Sequence, residues 1–237
     1  MKVTKVLREA TNRRRNGLVI EDGVLMYAGD DIVRLDIPEG VEEIDDGVFE
    51  TTCLMSVTFP KSLKKIGKRA FVSTGIHTAK FEDGLISIGE RAFYAAGDLK
   101  AVYLPDTVQF IGDYAFSNCL DLKSIRFPKT LKKFPRGLLY DCPSLVQVTV
   151  PEGVEVIEER AITGCNNLIR IELPSSLRRL EHWSIAGNEA LNRVVYNGTR
   201  AQFQTIDLVS GWHQGNSAFT VYCTDGEIKY YISKWND

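Results

Sequence analysis

Three cysteines recur at equal spacing and are the first residues in the sequence that could do chemistry. Cys119, Cys142 and Cys165 lie 23 residues apart, and each opens the same Cys-x-x-Leu motif. If they occupy adjacent turns of a repeat, they stack about 5 Å apart, a distance that permits a disulfide. Three thiols in one row cannot all pair, however, and a zinc site needs ligands that converge from several directions. We therefore expect reduced, buried thiols, with neither a metal site nor a cofactor.

The histidines do not indicate a catalytic centre either. They are far apart and lack the H-E-x-x-H or Cys-x-x-Cys context of metal enzymes: His77, His182 and His213. Ser210 and Asp207 lie near His213 in a Gly-rich stretch, but a catalytic triad needs groups that the fold brings together, and no G-x-S-x-G motif is present. We predict a protein that is not an enzyme, in which Trp212 holds this stretch against the last repeat.

The elements that position these residues repeat every 22 or 23 residues. Six prolines mark the repeat: Pro38, Pro60, Pro105, Pro128, Pro151 and Pro174. Glu82 occupies the one position in this series where a proline is missing. Apolar residues alternate before each proline position, and two more follow it three and six places on. Such alternation predicts a short strand with one buried face, and proline is tolerated at its end because it has no N–H to donate. Seven copies of so short a unit predict a solenoid, since one unit buries too little to fold alone.

The repeat unit resembles that of the BspA-like leucine-rich repeat family. It reads x-x-[IVL]-x-[LF]-P-x-x-[VL]-x-x-I-G-x-x-A-F-x-x-C-x-x-L and covers roughly residues 32–196. The resemblance implies a right-handed leucine-rich-repeat solenoid, mainly β, with short parallel strands stacked into a curved sheet. It also implies a binding or adhesion module of bacterial type, and it brings no catalytic residues. The unit varies at Phe134-Pro135, where Ile-Gly is usual, and at Leu138-Leu139, Ala161-Ile162 and Ser184-Ile185, where Ala-Phe is usual.

The chain is predicted to be one solenoid domain with a cap at each end. Residues 1–34 should form an N-terminal helix and a hairpin turning at Asp22-Gly23, residues 35–196 about seven repeats, and residues 197–237 a C-terminal cap. Val3, Val6, Leu7 and Ala10 would form the buried stripe of the helix. The cations of the first fifteen residues either sit in solvent near the C-terminal end of that helix or touch an anionic membrane, a nucleic acid or an acidic partner.

Composition excludes several classes of protein. The net charge of −2 argues against nucleic-acid binding by bulk charge, and 44% hydrophobic residues argue against disorder. The longest stretch without Asp, Glu, Lys or Arg, residues 208–224, is too polar to span a bilayer. The first residues do not resemble a signal peptide. We expect a monomer, cytoplasmic as the sequence stands, or at the cell surface if an export signal has been trimmed.

Two surfaces are candidates for binding. Residues two and four before each proline position point outwards, and in the C-terminal half they include Arg126, Arg170 and Arg193, with Tyr103 nearby. Arginine and aromatic side chains often anchor interfaces, although any sheet needs a polar outer face. A second candidate patch is apolar: Phe110, Tyr114 and Trp183. We predict that the chain binds a protein, through an acidic surface, or a polysaccharide. The two functions left open are a bacterial adhesion module and an intracellular regulator or inhibitor.

Overall fold

Two rows of parallel strands, each divided into shorter hydrogen-bonded sheets, form two faces of a solenoid of about nine turns. The structure is a computed structural model and describes residues 17–231. Each repeat contributes a longer strand before its proline position and a two-residue strand after it. Most strands pair with their counterparts in the neighbouring turns: Val102, for example, lies opposite Ala79 on one side and Ile125 on the other. The predicted leucine-rich-repeat solenoid is confirmed.

The longer strands form the first face. They are β3 (Arg34–Asp36), β5 (Ser56–Thr58), β7 (Thr78–Lys80), β9 (Ala101–Tyr103), β11 (Ser124–Arg126), β13 (Gln147–Thr149), β15 (Arg170–Leu173), β17 (Arg193–Tyr196) and β19 (Phe219–Cys223). The shorter strands form the second face. They are β4 (Glu43–Ile44), β6 (Lys65–Ile66), β8 (Ser87–Ile88), β10 (Phe110–Ile111), β12 (Lys133–Phe134), β14 (Val156–Ile157), β16 (Arg179–Leu180) and β18 (Asp207–Leu208).

The third side of each coil has no strand but is equally regular. The chain passes through the left-handed region nine residues after the proline position, at Gly47, Arg69, Arg91, Tyr114, Gly137, Arg160 and Trp183. It does so again thirteen residues after, at Thr51, Ser73, Ala95, Asn118, Asp141, Gly164 and Gly187. Between these corners, N–H groups donate to the next coil, as Phe71 does to the Ala92 carbonyl at 2.7 Å. The pattern continues where the consensus fails, since Leu139 donates to Ala161 at 2.8 Å.

The core is one continuous stack of apolar side chains. All residues three and six after the proline positions are buried, as the alternation predicted. Phenylalanines eleven residues after it stack face to face, with ring centroids 4.9 Å apart for Phe49 and Phe71 and 5.3 Å apart for Phe93 and Phe116. Leu139 and its counterparts continue this row in the later repeats, fully buried. Like residues therefore stack on like residues along the whole solenoid.

The three predicted cysteines lie in one buried column, fourteen residues after the proline position. All are free thiols with no exposed surface, and burial raises the pKa of Cys119 and of Cys165 to about 12. The Cys142 S–H donates to the carbonyl of Phe116 in the preceding coil, 3.1 Å away. In other coils the same column holds Thr52, which donates to Phe49 at 2.9 Å, and Asn188, which donates to Ile162 at 2.8 Å. Phe49 belongs to the same coil as Thr52, and the buried Ala96 of this column has no donor, so the column selects a compact buried side chain rather than one particular hydrogen bond.

The solenoid is closed at each end by a hairpin. At the N-terminal end β1 (Leu18–Glu21) and β2 (Val24–Ala28) are antiparallel and turn at Asp22–Gly23, as predicted, and β2 pairs with β4. The predicted helix within the first fifteen residues lies outside the described residues. No helix within residues 17–231 is long and apolar enough to cross a bilayer.

The last coil is longer than the others and ends in a second hairpin. It contains a short helix, α1 (Arg200–Phe203), which begins with a capping box between Thr199 and Gln202. β19 then pairs antiparallel with β20 (Gly226–Tyr230). Trp212 is 5% exposed and packs edge-on against Phe219 and Tyr230, so it holds the Gly-rich stretch against the last coil, as expected from the sequence.

Candidate functional site

The outward side chains of β3 to β19 form a surface that we call the strand face. Parallel pairing in register places Tyr103 of β9 directly beside Arg126 of β11. The Tyr103 side chain points into solvent and is 47% exposed. The first two of the predicted site residues are therefore neighbours on adjacent coils.

The Arg126 side chain is held in place by hydrogen bonds to the preceding coil. Its guanidinium donates to the Leu104 carbonyl at 2.8 Å and to the Asp106 carboxylate at 3.2 Å. The backbone N–H of Lys129 also donates to Asp106, at 3.1 Å, and this bond, assisted by Arg126, lowers the pKa of that carboxyl group. Both side chains of the ion pair remain about half exposed, so solvent screens it and it adds little to stability. Its main effect is to orient the guanidinium.

Arg170 and Arg193 are neighbours in register on β15 and β17. Like charges on facing positions repel, so each needs its own partner. Arg170 donates to the Glu172 carboxylate at 2.6 Å. Arg193 stacks over the ring of Tyr222, with its guanidinium carbon 4.6 Å from the ring centre. Within the described residues, Arg193 has no carboxylate at ion-pair distance, so it is an uncompensated cation beside the Arg170–Glu172 pair.

The strand face thus holds two groups rather than one. Tyr103 and Arg126 form the first, and Arg170, Arg193 and Tyr222 form the second. The strand β13 lies between them and presents the uncharged Gln147 and Thr149. Sequence reasoning missed Tyr222, because the helix α1 and its loops lengthen the last coil beyond the regular period. The outward alternation of Thr220 and Tyr222 is the signal that could have found it.

The second predicted patch is not brought together on one surface. Phe110 lies on β10, is 53% exposed and lines a depression of the short-strand sheet with Lys65 and Lys133. Tyr114 and Trp183 lie instead at left-handed corners of the third side, three coils apart. Both are only partly exposed, because each ring is covered by an arginine. The patch therefore divides among three places.

The left-handed corners create a groove that sequence reasoning did not single out. It runs along the third side of the solenoid with a volume of about 560 Å³. We call it the tyrosine–arginine groove, and its main lining residues are Arg69, Arg91, Arg160, Tyr94, Tyr114 and Tyr140. The signal in the sequence was the recurrence of arginine nine residues after the proline position, together with tyrosine twelve residues after it.

The side chains of Arg91, Tyr114 and Arg160 reach over the next coil, whereas Arg69 turns back to Glu50 of the preceding one. Arg91 stacks on Tyr114, with its guanidinium carbon 5.5 Å from the ring centre, and Arg160 stacks on Trp183 at 4.4 Å. The Tyr114 ring lies where a side chain of Gly137 would be, since a Cβ there would meet the ring at 2.2 Å. The groove is therefore built from stacked, oriented side chains.

His213 and Asp207, two of the residues considered for catalysis, are engaged in structural contacts. The His213 ring packs against Trp212, Phe219 and Tyr230, and burial lowers its pKa. Asp207 accepts a bond from Arg179 at 2.7 Å. Within residues 17–231, no group of three His, Cys, Asp or Glu side chains converges as a metal site would require.

Comparison with known proteins agrees with this architecture. Residues 20–146 and 86–206 match the family described as a BspA type leucine-rich repeat region, in six copies. A leucine-rich repeat protein from Bacteroides ovatus has 22% identity and a TM-score of 0.67, with 88% of this chain and 61% of that chain covered. One from Eubacterium ventriosum has 21% identity and a TM-score of 0.59, with 93% of this chain and 53% of that chain covered.

A third structure, a leucine-rich cell surface protein from Faecalibacterium prausnitzii, has 26% identity and a TM-score of 0.47, with coverages of 75% and 63%. This chain therefore spans between 53% and 63% of the length of these three proteins. No curated protein matches the sequence. The first two structures share the fold of this chain.

Proposed function

Because this chain belongs to the family of BspA-type leucine-rich repeat proteins, we propose that it is a non-enzymatic module that binds another protein through its strand face. The observation that carries the proposal is the group formed by Arg170, Arg193 and Tyr222. Arginine and tyrosine are, with tryptophan, the residues enriched among those that dominate the energy of an interface. Here they are fixed on adjacent strands of a rigid repeat, so that a partner would meet them with little loss of side-chain freedom.

The charges of this group favour an acidic partner. Glu172 already compensates Arg170, whereas Arg193 has no carboxylate at ion-pair distance among residues 17–231. Stacking on Tyr222 holds the guanidinium flat and leaves its N–H edge available to a carboxylate. An aspartate or glutamate on the partner would then bind Arg193 in a bidentate manner. Tyr103 and Arg126, on earlier coils, would extend the contact.

Charge reversal tests this proposal. Partners would be captured by cross-linking from extracts of the source cell and of the cells around it, with the whole chain as bait. We expect the change of Arg126, Arg170 and Arg193 to Glu to abolish capture of a specific protein, while the chain stays folded, because Arg126 and Arg193 are exposed and Arg170 is half-buried at the edge of the core. Capture should also weaken as salt rises.

The matched control reverses two charges on the other sheet. Lys132 and Lys133 are exposed on the short-strand side, and their change to Glu should leave capture unchanged. Loss of the partner in the control, with retention in the arginine variant, would contradict the proposal. The origin of the partner then separates the two uses: a protein of another cell supports adhesion, and a cytoplasmic protein supports an intracellular regulator.

A further inference from the structure

We propose that the tyrosine–arginine groove is a second binding site, and that its ligand is an acidic polysaccharide bearing carboxylate groups. The groove lies on the third side of the coil, which carries none of the outward strand positions of the strand face. The inference therefore does not depend on the protein-binding proposal. It rests on the free guanidinium edges of the arginines, on the left-handed backbone at the corners and on the polar side chains that line the groove.

Two arginines of the groove are held in a fixed orientation but keep N–H groups that can still donate hydrogen bonds. Arg91 is stacked on Tyr114, and its nearest carboxylate oxygen, on Glu90, is 3.7 Å away, too far for a hydrogen bond. Arg160 shares Glu159 with Arg136, at 3.1 Å and 3.8 Å respectively. Arg69, in contrast, donates two bonds to Glu50. Arg91 and Arg160 can therefore each offer a guanidinium edge to an anion.

The backbone at these positions does not explain why arginines are there. A left-handed residue with a Cβ costs free energy that glycine avoids. Gly47 and Gly137 occupy this same column, so the fold accepts glycine at the corner. Arg69, Arg91 and Arg160 are bulky, left-handed residues in equivalent places. Strained positions that keep large polar side chains point to a use for those side chains.

The groove suits a glycan better than a peptide. An added peptide strand needs free backbone groups, but here the N–H groups of Arg91, Phe93 and Ala95 already donate to the next coil, at 2.9, 2.8 and 2.9 Å. A peptide anchor also needs an apolar pocket, whereas Val72 is the one aliphatic side chain among the described lining residues. Side chains alone must recognise the ligand.

Those side chains match the functional groups of a sugar acid. Within the described residues, the hydroxyl groups of Tyr94 and Tyr114 make no hydrogen bond to the protein and can bond sugar hydroxyls. The arginines would bind carboxylates. Three coils separate Arg91 from Arg160, which is about 14 Å at about 4.8 Å per coil. A single sugar cannot reach both arginines, so we infer that the ligand is an oligomer with repeated carboxylates.

Calorimetric titration of the whole chain with hexagalacturonate tests the proposal. We expect binding that weakens as salt rises and that falls about tenfold or more when the carboxylates are methyl-esterified, because bonds to charged groups are the strong ones. Hexaglutamate supplies the same charge on a peptide and should bind more weakly. Failure of hexagalacturonate to bind, equal binding of the methyl ester, or tighter binding of hexaglutamate would each overturn the inference.

Variants locate the site. Arg91→Gln and Arg160→Gln should each weaken binding about tenfold, and Arg91→Lys should not restore it, because lysine lacks the planar fork. Arg193→Glu on the strand face and Lys133→Gln on the short-strand sheet should leave binding unchanged. Loss of binding in these two, with retention in the groove variants, would place the glycan elsewhere and refute the inference. Thermal midpoints close to that of the parent show that each variant is folded.

Discussion

At the residue scale, burial decides the chemistry of the cysteine column. Cys142 lies between Cys119 and Cys165, and burial, reinforced by the two neighbouring thiols, raises its pKa well above the ordinary value. The thiolate is the reactive form of cysteine, so these three groups are inert near neutral pH. The column is a structural device, in which sulfur takes the place that threonine or asparagine takes in other coils.

Thiol labelling checks this column and contains its own control. In the native protein, a maleimide should react rapidly with the exposed Cys53 and slowly with Cys119, Cys142 and Cys165. After denaturation all of them should react. Rapid native labelling of the three buried thiols, at the rate of Cys53, would show that the column is open.

Substitution of two glycines by alanine should have opposite effects on stability. A Cβ at Gly112 would lie 2.4 Å from the backbone nitrogen of Glu90, whereas a Cβ at Gly97 would meet nothing within 4 Å. Gly112→Ala should therefore lower the free energy of unfolding by about 1–3 kcal/mol, because the coils must move apart. Gly97→Ala should leave it unchanged or raise it by up to about 1 kcal/mol. Chemical denaturation measures both, and equal effects would mean that the coil spacing is not set at Gly112.

At the scale of elements, the C-terminal cap should be sensitive to mild acid. His213 packs among the aromatic rings of Trp212, Phe219 and Tyr230, and burial lowers its pKa below the ordinary value. Protonation is thus easier in the unfolded chain than in the folded one. The contribution of neutral His213 to the free energy of unfolding is fully present at a pH above the ordinary histidine pKa of about 6.5. It is lost as the pH drops through that value towards the lower pKa of the folded protein.

Thermal midpoints between pH 7.5 and pH 5.5 check this cap. We expect the midpoint of the parent protein to fall over this range, and that of His213→Phe to fall much less, because phenylalanine keeps the ring contacts and takes up no proton. The two other histidines are present in both proteins and cancel in the comparison. An identical fall in both would assign the effect to other groups.

The predictability of these elements from sequence differs from one side of the coil to another. Two sides are strands, and residues such as Val102 and Ile111 reveal them because alternation and a proline position are local signals. The third side is set by left-handed corners at Arg91 and Tyr114, and nothing in those residue types favours that backbone. The groove follows from the corners and was missed, whereas the strand face was predicted by counting from the prolines.

At the scale of the whole molecule, each coil is stabilised by its neighbours. Phe116 is fully buried and stacks on Phe93, so Phe116→Ala should cost about 3–5 kcal/mol. The control is Phe110→Ala, which truncates a ring that is 53% exposed and should change stability by less than about 0.5 kcal/mol. Hydrogen exchange should show the loss of protection concentrated in the coils next to Phe116. An unchanged midpoint for Phe116→Ala would place that ring outside the core.

The hydrogen bonds between coils have a mechanical consequence. On all three sides they run from one turn to the next, as from Phe71 to Ala92 on the third side, and so they lie along the axis of the solenoid. A pulling force applied between the two capping hairpins would act on the hydrogen bonds of one turn at a time, so that turns detach one after another. Each turn that detaches would release about 75–80 Å of chain. Under tension the protein should therefore lengthen in a series of small, even steps and act as an extensible tether.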